Sequence, residues 1–278
     1  MDLEPLDPGY VAERLTRPPF VVCSGVYNVR DIGGYPTAQP AVNVRPGFIY
    51  RSGEVSGITE QGKQQLKALG ITTVYDLRSD TEMEKYNTPI PDIPGVNIIR
   101  TPVFQKEDYS PEMMAKRYEL YASGKTEAFM ELYSQILDHG GAAFGVILRH
   151  IRDRPHDGLL FHCTAGKDRT GIITAILLTL VDVEDGVIAE DYSLTRVGRE
   201  PARAMVMARL AKVNLFAENN EAALNMFTCR PETMIAFLGL LRDKYGGVAE
   251  YLRRYVGLTD GDIETIKHNM LYPSDRPS

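Results

Sequence analysis

The order of apolar and polar positions along the chain predicts strands that alternate with helices. Short runs rich in β-branched and apolar residues at 72–77, 96–103 and 158–162 are typical of strands. Between strands, the polar pattern after Thr59 predicts a helix that ends at Gly70. Because helical patterns separate the strands, we expect a mainly parallel sheet in an α/β fold.

The remaining apolar periodicity predicts helices before and after the last strand in the chain. These are expected at residues 111–124, 127–137, 142–152, 201–220, 231–245 and 259–271, and residues 42–52 are expected to form a strand or hairpin arm. The chain has no repeat, low-complexity linker or second domain boundary. The sequence therefore predicts one domain over residues 1–278, with a central sheet of about four to five strands flanked by helices.

One segment places reactive groups at the end of a predicted strand. Residues 162–170 read His-Cys-Thr-Ala-Gly-Lys-Asp-Arg-Thr, between the apolar runs 159–161 and 171–181. This order predicts a buried strand, a tight loop and a helix. The helix N-terminus directs unpaired amides and the positive end of its dipole at the loop. Such a loop binds phosphate, and ligands of parallel sheets bind beyond the carboxyl ends of the strands.

The spacing of Cys163 and Arg169 in this loop predicts nucleophilic catalysis on a phosphate ester. A helix N-terminus and cationic neighbours favour the thiolate form of a cysteine, which is the nucleophile. In-line attack by Cys163 gives a cysteinyl-phosphate that water hydrolyses, and the Thr170 hydroxyl assists departure of the thiolate. We expect His162 only to orient the loop, without a role as acid or base. Phosphate binding is assigned to Thr164, Ala165, Gly166, Lys167 and Arg169, the last as a bidentate clamp.

Four further charged residues have two interpretations each. Lys167 and Asp168 are either solvated charges or functional groups. In the functional interpretation, Lys167 is a second cation at the rim of the site, which favours substrates with several phosphates. Asp168 is then an acid or base within the loop, or orients the attacking water. Asp76 and Arg78, near the end of the strand at 72–77, either brace the loop or lie exposed on the surface.

These motifs resemble the Cys-x5-Arg signature of the protein tyrosine phosphatase superfamily. The segment from His162 onward is similar to the atypical tyrosine/serine phosphatases of bacteria and fungi. Residues 27–35, read Tyr-Asn-Val-Arg-Asp-Ile-Gly-Gly-Tyr, and residues 49–52 and 74–79 extend the resemblance, which covers about residues 20–272. It implies a tyrosine-phosphatase-like fold and hydrolysis of phosphotyrosine. Some members also accept phosphoserine, phosphothreonine and phosphoinositides.

The resemblance also implies a general acid on the loop after the strand at 96–103. The aligned position holds Gln105, which has no acidic proton. Asp108 and Asp168 are therefore the alternatives for this role. A phosphate-binding module that has lost turnover is the alternative function. Residues 104–125 follow the same loop and are expected either to pack on the core or to form a lid.

Composition narrows the class of protein further. The net charge is −6 and there is no long basic stripe, which argues against nucleic acid as a partner. The three cysteines, Cys23, Cys163 and Cys229, predict no disulfide framework and suit a reducing compartment. Residues 1–15 lack the apolar core of a signal peptide, and the apolar run at 171–181 is too short to cross a bilayer. We expect a cytoplasmic enzyme without metal or cofactor, acting on a phosphorylated protein or a phosphoinositide.

Overall fold

The computed structural model describes residues 4–104, 111–212, 217 and 220–274. Its central sheet has five strands, which are β1 (Arg30–Asp31), β3 (Ile49–Ser52), β4 (Ile71–Asp76), β5 (Asn97–Arg100) and β6 (Gly158–His162). They lie in the order β1-β3-β6-β4-β5, and only β1 is antiparallel to its neighbour. A separate two-stranded sheet pairs β2 (Val42–Val44) with β7 (Leu271–Pro273). The predicted α/β fold with a mainly parallel sheet of four to five strands is confirmed.

Helices flank both faces of the central sheet. In chain order they are α1 (Pro8–Leu15), α2 (Glu60–Ala68), α3 (Asp80–Tyr86), α4 (Pro111–Ser123), α5 (Thr126–Asp153), α6 (Asp168–Leu180), α7 (Asp185–Ser193), α8 (Thr195–Gly198), α9 (Arg203–Leu210), α10 (Asn220–Asn225), α11 (Pro231–Tyr245), α12 (Val248–Tyr251) and α13 (Asp260–Met270). A 3-10 turn, Glu200–Ala202, precedes α9, and a π-helical turn, Leu252–Val256, follows α12. The side chain of Thr59 caps α2, as its position predicted.

Alternation along the strands divides the core into two parts. Leu159 and Phe161 of β6 point into the larger cluster, which α5, α6 and α11 complete. Leu160, between them, packs in a smaller cluster on the opposite face with Leu66 of α2. This two-residue period is what a strand buried on both faces requires, since successive side chains point to opposite faces. The strand that leads to Cys163 is therefore fixed from both sides.

Helix α5 differs from the sequence prediction. Residues 127–137 and 142–152 were expected to be two helices, but a single helix, Thr126–Asp153, continues through Gly140 and Gly141. A Cβ atom on Gly141 would lie 2.0 Å from the carbonyl oxygen of Tyr255. The glycine therefore permits close approach of the following chain and does not end the helix. Tertiary packing outweighs the low helix propensity of glycine at this point.

Two other predicted segments divide in the structure. Residues 42–52 form β2 and β3, which belong to different sheets. Residues 201–220, expected to be one helix, contain the end of the 3-10 turn and then α9, while residues 213–216 and 218–219 lie outside the described residues.

Candidate active site

Three parallel strands end together at one edge of the central sheet. His162 of β6 pairs in register with Ser52 of β3 on one side and with Asp76 of β4 on the other. Cys163 follows directly and lies against a cavity of about 420 Å³. Its side chain is only 2% exposed. The predicted loop thus falls at the carboxyl edge of the sheet, where ligands of such folds bind.

The first two carbonyl groups of this loop (residues 163–169, called the Cys163 loop) are held by neighbouring residues. The Nδ1 atom of His162 lies 3.1 Å from the Cys163 carbonyl oxygen. Since a carbonyl only accepts, Nδ1 must carry the proton. Burial lowers the pKa of His162, so its ring is neutral at pH 7. The main-chain N–H of Glu54 donates to the Thr164 carbonyl over 3.1 Å.

Gly166 is held by two side chains and by its own conformation. Its carbonyl oxygen accepts from Arg51 Nη2 at 3.0 Å and from Asn28 Nδ2 at 3.2 Å. Its φ is +65°, and a Cβ atom there would lie 2.3 Å from the Ser52 carbonyl oxygen. Both the left-handed backbone and the contact with β3 therefore require glycine at this position.

These held carbonyl groups determine where the loop amides point. In a planar trans peptide, the C=O of one residue and the N–H of the next point in opposite directions. The N–H groups of Thr164, Ala165 and Lys167 consequently point away from the residues that hold the carbonyls. Within the described residues, main-chain N–H groups at positions 164–167 donate to no other main-chain acceptor. Unpaired donors at a helix N-terminus form an anion-binding site.

Arg169 forms a bidentate ion pair that the sequence analysis missed. Its Nη1 and Nη2 atoms lie 2.5 and 2.6 Å from the two carboxylate oxygens of Glu82. The same carboxylate accepts from the Thr164 hydroxyl at 2.9 Å. A guanidinium has five donors in a fixed fork, so Glu82 fixes its orientation along one edge. A phosphate clamp by Arg169 would use its other edge.

Asp168 lies on the cavity wall and is held by tyrosines. The Tyr133 hydroxyl donates to Asp168 Oδ1 over 2.8 Å and is 2.6 Å from the Tyr192 hydroxyl. Because the Tyr133 proton goes to Asp168, Tyr192 is the donor to Tyr133. Burial raises the pKa of Tyr133, and the charge of Asp168 raises it further, so the phenol keeps its proton. Burial raises the pKa of Tyr121 of α4, and the charge of nearby Asp168 raises it further. Asp168 is therefore a held group and not a free surface charge.

Lys167 does not lie where the sequence analysis placed it. Its side chain is 1% exposed, and the ammonium lies over the ring of Phe129 at 4.6 Å and over that of Tyr121 at 5.6 Å. It donates to the carbonyl oxygen of Met226 at 3.3 Å and lies 3.7 Å from Asp168 Oδ1. The ammonium is thus turned into the protein, since aromatic faces and a carbonyl are available there. The expected second cation at the rim is not provided by this residue.

Thr170 lies in the first turn of α6, fully buried. Within the described part of the chain, its hydroxyl makes no hydrogen bond. A buried hydroxyl without a partner is uncommon and is often a functional group. Asp108 and Gln105, by contrast, fall outside the described residues.

Asp76 and Arg78 brace the Cys163 loop and are not surface charges. Both side chains are 1% exposed and form an ion pair of 2.8 Å. Arg78 also contacts Glu54 at 2.9 Å, the residue whose N–H holds the Thr164 carbonyl. The exposed-charge interpretation is therefore wrong.

The sequence contains a signal that would have located Glu82. Ser79 and Glu82 form a capping box at the start of α3, directly after β4. A Ser-x-x-Glu pattern at the end of a parallel strand places its glutamate at the same sheet edge as Cys163. For Asn28 and Asp191, the sequence separations of 138 and 161 residues to their partners left no local signal.

The strand-loop-helix unit, the cysteine on the cavity surface and the paired arginine define an enzyme of the Cys-x5-Arg phosphatase class. Residues 21–272 match the model of a tyrosine phosphatase family. The chain is 28% identical to the triple specificity protein phosphatase PtpB of Mycobacterium tuberculosis, over 89% of this chain and 97% of that protein. It is 25% identical to a tyrosine-protein phosphatase of Nostoc commune, over 78% of this chain and 72% of that protein.

The chain therefore belongs to the tyrosine phosphatase family and is a phosphatase of the protein-tyrosine-phosphatase type, acting on phosphorylated substrates. The resemblance stated from the sequence is confirmed. Within the described ranges, every helix falls short of the length and apolar character needed to cross a bilayer.

Proposed function

We propose that the protein hydrolyses phosphomonoesters through a cysteinyl-phosphate on Cys163. The observation that carries this proposal is the position of the thiol, on the cavity surface beside the amides of residues 164–167, which have no main-chain acceptor among the described residues. Phosphate oxygens bind these amides and Arg169, the Cys163 thiolate attacks phosphorus, and the P–O bond to the leaving group breaks. Water then attacks phosphorus, breaks the S–P bond and releases inorganic phosphate. Thr170 donates to the departing thiolate.

Turnover of para-nitrophenyl phosphate tests this mechanism. We expect activity without added metal, inhibition by vanadate and complete loss in Cys163→Ser. Full activity in Cys163→Ser would exclude the mechanism. A protein that binds vanadate tightly but turns nothing over would instead be the phosphate-binding module that the sequence left as an alternative.

We propose Asp168 as the acid that protonates the leaving oxygen, and then as the base that activates water. Support comes from its place on the same cavity wall as Cys163 and from the hydrogen bond of Tyr133, which fixes its carboxyl group. Asp108 remains the competing candidate. An acid matters most for poor leaving groups. Loss of activity in Asp168→Asn should thus be larger for phenyl phosphate than for para-nitrophenyl phosphate. The same dependence in Asp108→Asn alone would assign the acid to Asp108.

We propose phosphotyrosine as the preferred substrate, with phosphoserine, phosphothreonine and phosphoinositides as weaker ones. The cavity wall is rich in aromatic and apolar side chains, including Tyr86, Phe104, Tyr118, Tyr121 and Met205. Such a wall suits a phenyl ring better than the hydroxyl-rich ring of an inositol. The test is a comparison of kcat/KM on phosphotyrosine, phosphoserine and phosphothreonine peptides and phosphoinositide vesicles. Faster turnover of phosphoinositide would reverse the order.

We further propose that residues 1–278 form one cytoplasmic phosphatase domain, without a nucleic-acid partner, in which residues 104–125 act as a lid. The described part of that segment, α4, contributes Arg117, Tyr118 and Tyr121 to the cavity wall. Cys163 is 2% exposed and lies deep in this cavity, so movement of α4 would ease the approach of a phosphoprotein. Amide hydrogen exchange in α4 should fall when vanadate fills the site. Exchange that is already slow and unchanged by vanadate would favour the core-packing interpretation.

A further inference from the structure

Two of the motifs that extend the family resemblance have no role in the mechanism above. The segments at residues 27–35 and 49–52 supply Asn28, Arg30 and Arg51, all of which are at most 3% exposed. They converge on Asp191 of α7, itself 1% exposed. None of these four residues lies on the cavity wall. Any effect of these four residues on a bound substrate is therefore indirect, through a group that does reach the cavity.

The contacts of this cluster lead to one main-chain atom. Arg51 Nη1 lies 2.5 Å from Asp191 Oδ2, and Arg51 Nη2 donates to the Gly166 carbonyl at 3.0 Å. Arg30 Nε lies 3.0 Å from Asp191 Oδ1, and its Nη1 donates to Asn28 Oδ1 at 2.5 Å. The Asn28 amide then donates to the same Gly166 carbonyl. Asp191 thus orients two arginines, and through them both donors to Gly166.

A purely stabilising role does not explain this arrangement well. Burying two arginines and one aspartate carries a desolvation penalty that often equals the gain from their attraction. Apolar residues of similar volume would stabilise the fold at least as well. The cluster does fix the orientation of one peptide group. Because the peptide between Gly166 and Lys167 is trans, holding the Gly166 carbonyl turns the Lys167 N–H away from the cluster and toward the proposed anion site.

We propose that Asn28, Arg51 and Asp191 are positioning residues that hold the Gly166 carbonyl and thereby aim the Lys167 main-chain N–H at the substrate phosphate. This inference rests on the proposed phosphate site in the Cys163 loop. Without the two donors, the carbonyl is free to turn toward the anion, where its negative end would repel a phosphate oxygen. Burial and the charge of Arg30 lower the pKa of Arg51 to about 10, so it remains a cation and a donor at neutral pH.

The test measures vanadate binding in Asn28→Asp, with unfolding temperature and kcat/KM for para-nitrophenyl phosphate alongside. Aspartate is isosteric and tolerates the left-handed backbone at position 28, where φ is 61°, but it has no amide donor. We expect vanadate affinity and kcat/KM to fall together, by about tenfold or more. Arg51→Lys, which keeps the charge but loses the fork, should act in the same direction.

The matched control is Asn269→Asp. Asn269 also donates its amide to main-chain carbonyls, those of Ile151 and Arg152 at 2.9 and 3.1 Å, but these bonds are part-buried and Asn269 lies on α13. Its variant should lose stability and retain vanadate affinity. Equal weakening of vanadate binding in both variants would overturn the proposal, as would unchanged binding in Asn28→Asp. If Asn28→Asp does not fold, Asn28→Gly removes the donor and keeps the backbone conformation.

Vanadate binding also separates this inference from the proposed function. If wild type binds vanadate more tightly than Asn28→Asp does, but hydrolyses no ester, the phosphatase mechanism is refuted and the positioning role is supported. Normal turnover together with Asn28-independent vanadate binding would refute the positioning role alone.

Discussion

The floor and the roof of the cavity are held by different kinds of contact. The floor is the Cys163 loop with Arg30, Arg51 and Asp191 beneath it, where the ion pairs are no more than 1% exposed. The roof consists of α4 and α9. Leu120 and Tyr121 of α4 pack against the larger core cluster, and both helices also meet the body through polar contacts near solvent. Lys85 contacts the Tyr118 hydroxyl at 2.9 Å, and Arg209 contacts Glu54 at 2.8 Å with its side chain 26% exposed.

This contrast separates two requirements of a phosphatase. Buried and multiply bonded contacts keep the anion site in one geometry, because breaking any of them leaves an unpaired buried charge. Exposed ion pairs contribute little stability, so breaking them adds little to the free-energy cost of opening the elements that they hold. With the proposed lid and phosphate site, the same molecule would combine a fixed anion site with an adjustable access route.

The largest effect is expected at the floor, from Asp191→Asn. This change leaves Arg30 and Arg51 buried without a counter-charge and should lower the free energy of unfolding by about 3–5 kcal/mol. Urea denaturation measures it. Asp185→Asn is the control, since Asp185 pairs with Arg242 on the surface, where the two side chains are 38% and 50% exposed. Its loss should stay below about 1 kcal/mol. Equal losses would remove the distinction between buried and exposed pairs.

A smaller effect is expected from Glu82→Gln, at the junction of floor and cavity. Arg169 and the Thr164 hydroxyl lose a charged acceptor, so the guanidinium is less well oriented. Hydrogen bonds to charged groups contribute about 1.5–3 kcal/mol, which corresponds to about a tenfold to hundredfold loss of kcat/KM. Glu60→Gln, on the exposed start of α2, should leave kcat/KM unchanged. Wild-type kcat/KM in Glu82→Gln would show that Arg169 needs no partner.

The floor should also have a pH signature. Burial alone would raise the pKa of Asp191, but the charges of Arg30 and Arg51 outweigh burial and hold this pKa below its usual range. Aspartate in the unfolded chain has a pKa of ~3.9. The stability that ionised Asp191 contributes is therefore complete above that pH, and it is lost as the pH falls toward the folded pKa. Below about pH 4, Asp191→Asn should therefore lose stability less steeply than wild type, by up to ~1.4 kcal/mol per pH unit. Parallel curves would contradict the lowered pKa.

The smallest effect is expected at the roof, from Arg209→Gln. Removing this ion pair to Glu54 should change the free energy of unfolding by less than about 1 kcal/mol. It should nevertheless speed the reaction of Cys163 with iodoacetamide, since α9 is held less firmly over the thiol. Arg242→Gln, which breaks a surface pair away from the cavity, is the control. Unchanged alkylation would show that α9 does not limit access.

The sequence predicted the parts of this molecule that depend on local pattern. The apolar run of β6, the Cys163 loop and the buried helix α6 adjoin one another in the chain, so their order alone predicts strand, loop and helix. The capped helix after Thr59 was equally local. The site residues of the loop could be proposed for the same reason, since a short loop at a helix N-terminus allows few geometries.

The predictions that failed concern features that depend on contacts between distant segments of the chain. The direction of Lys167 is decided by Phe129 and Met226, which no pattern around residue 167 reveals. Continuation of α5 through Gly141 is decided by the backbone at Tyr255. The bonds from Asn28 and Arg51 to Gly166 could not be inferred either, because a motif resemblance marks residues without saying what they touch.

The backbone at position 166 also limits how this enzyme can be redesigned. Any side chain there would meet both an unfavourable dihedral angle and the carbonyl of Ser52. A combinatorial library that varies position 165, on the cavity wall, can explore new substrate ranges, whereas variation at 166 mainly produces inactive clones. Evolutionary diversification of the loop is subject to the same restriction, which leaves its neighbours as the positions where new specificities can arise.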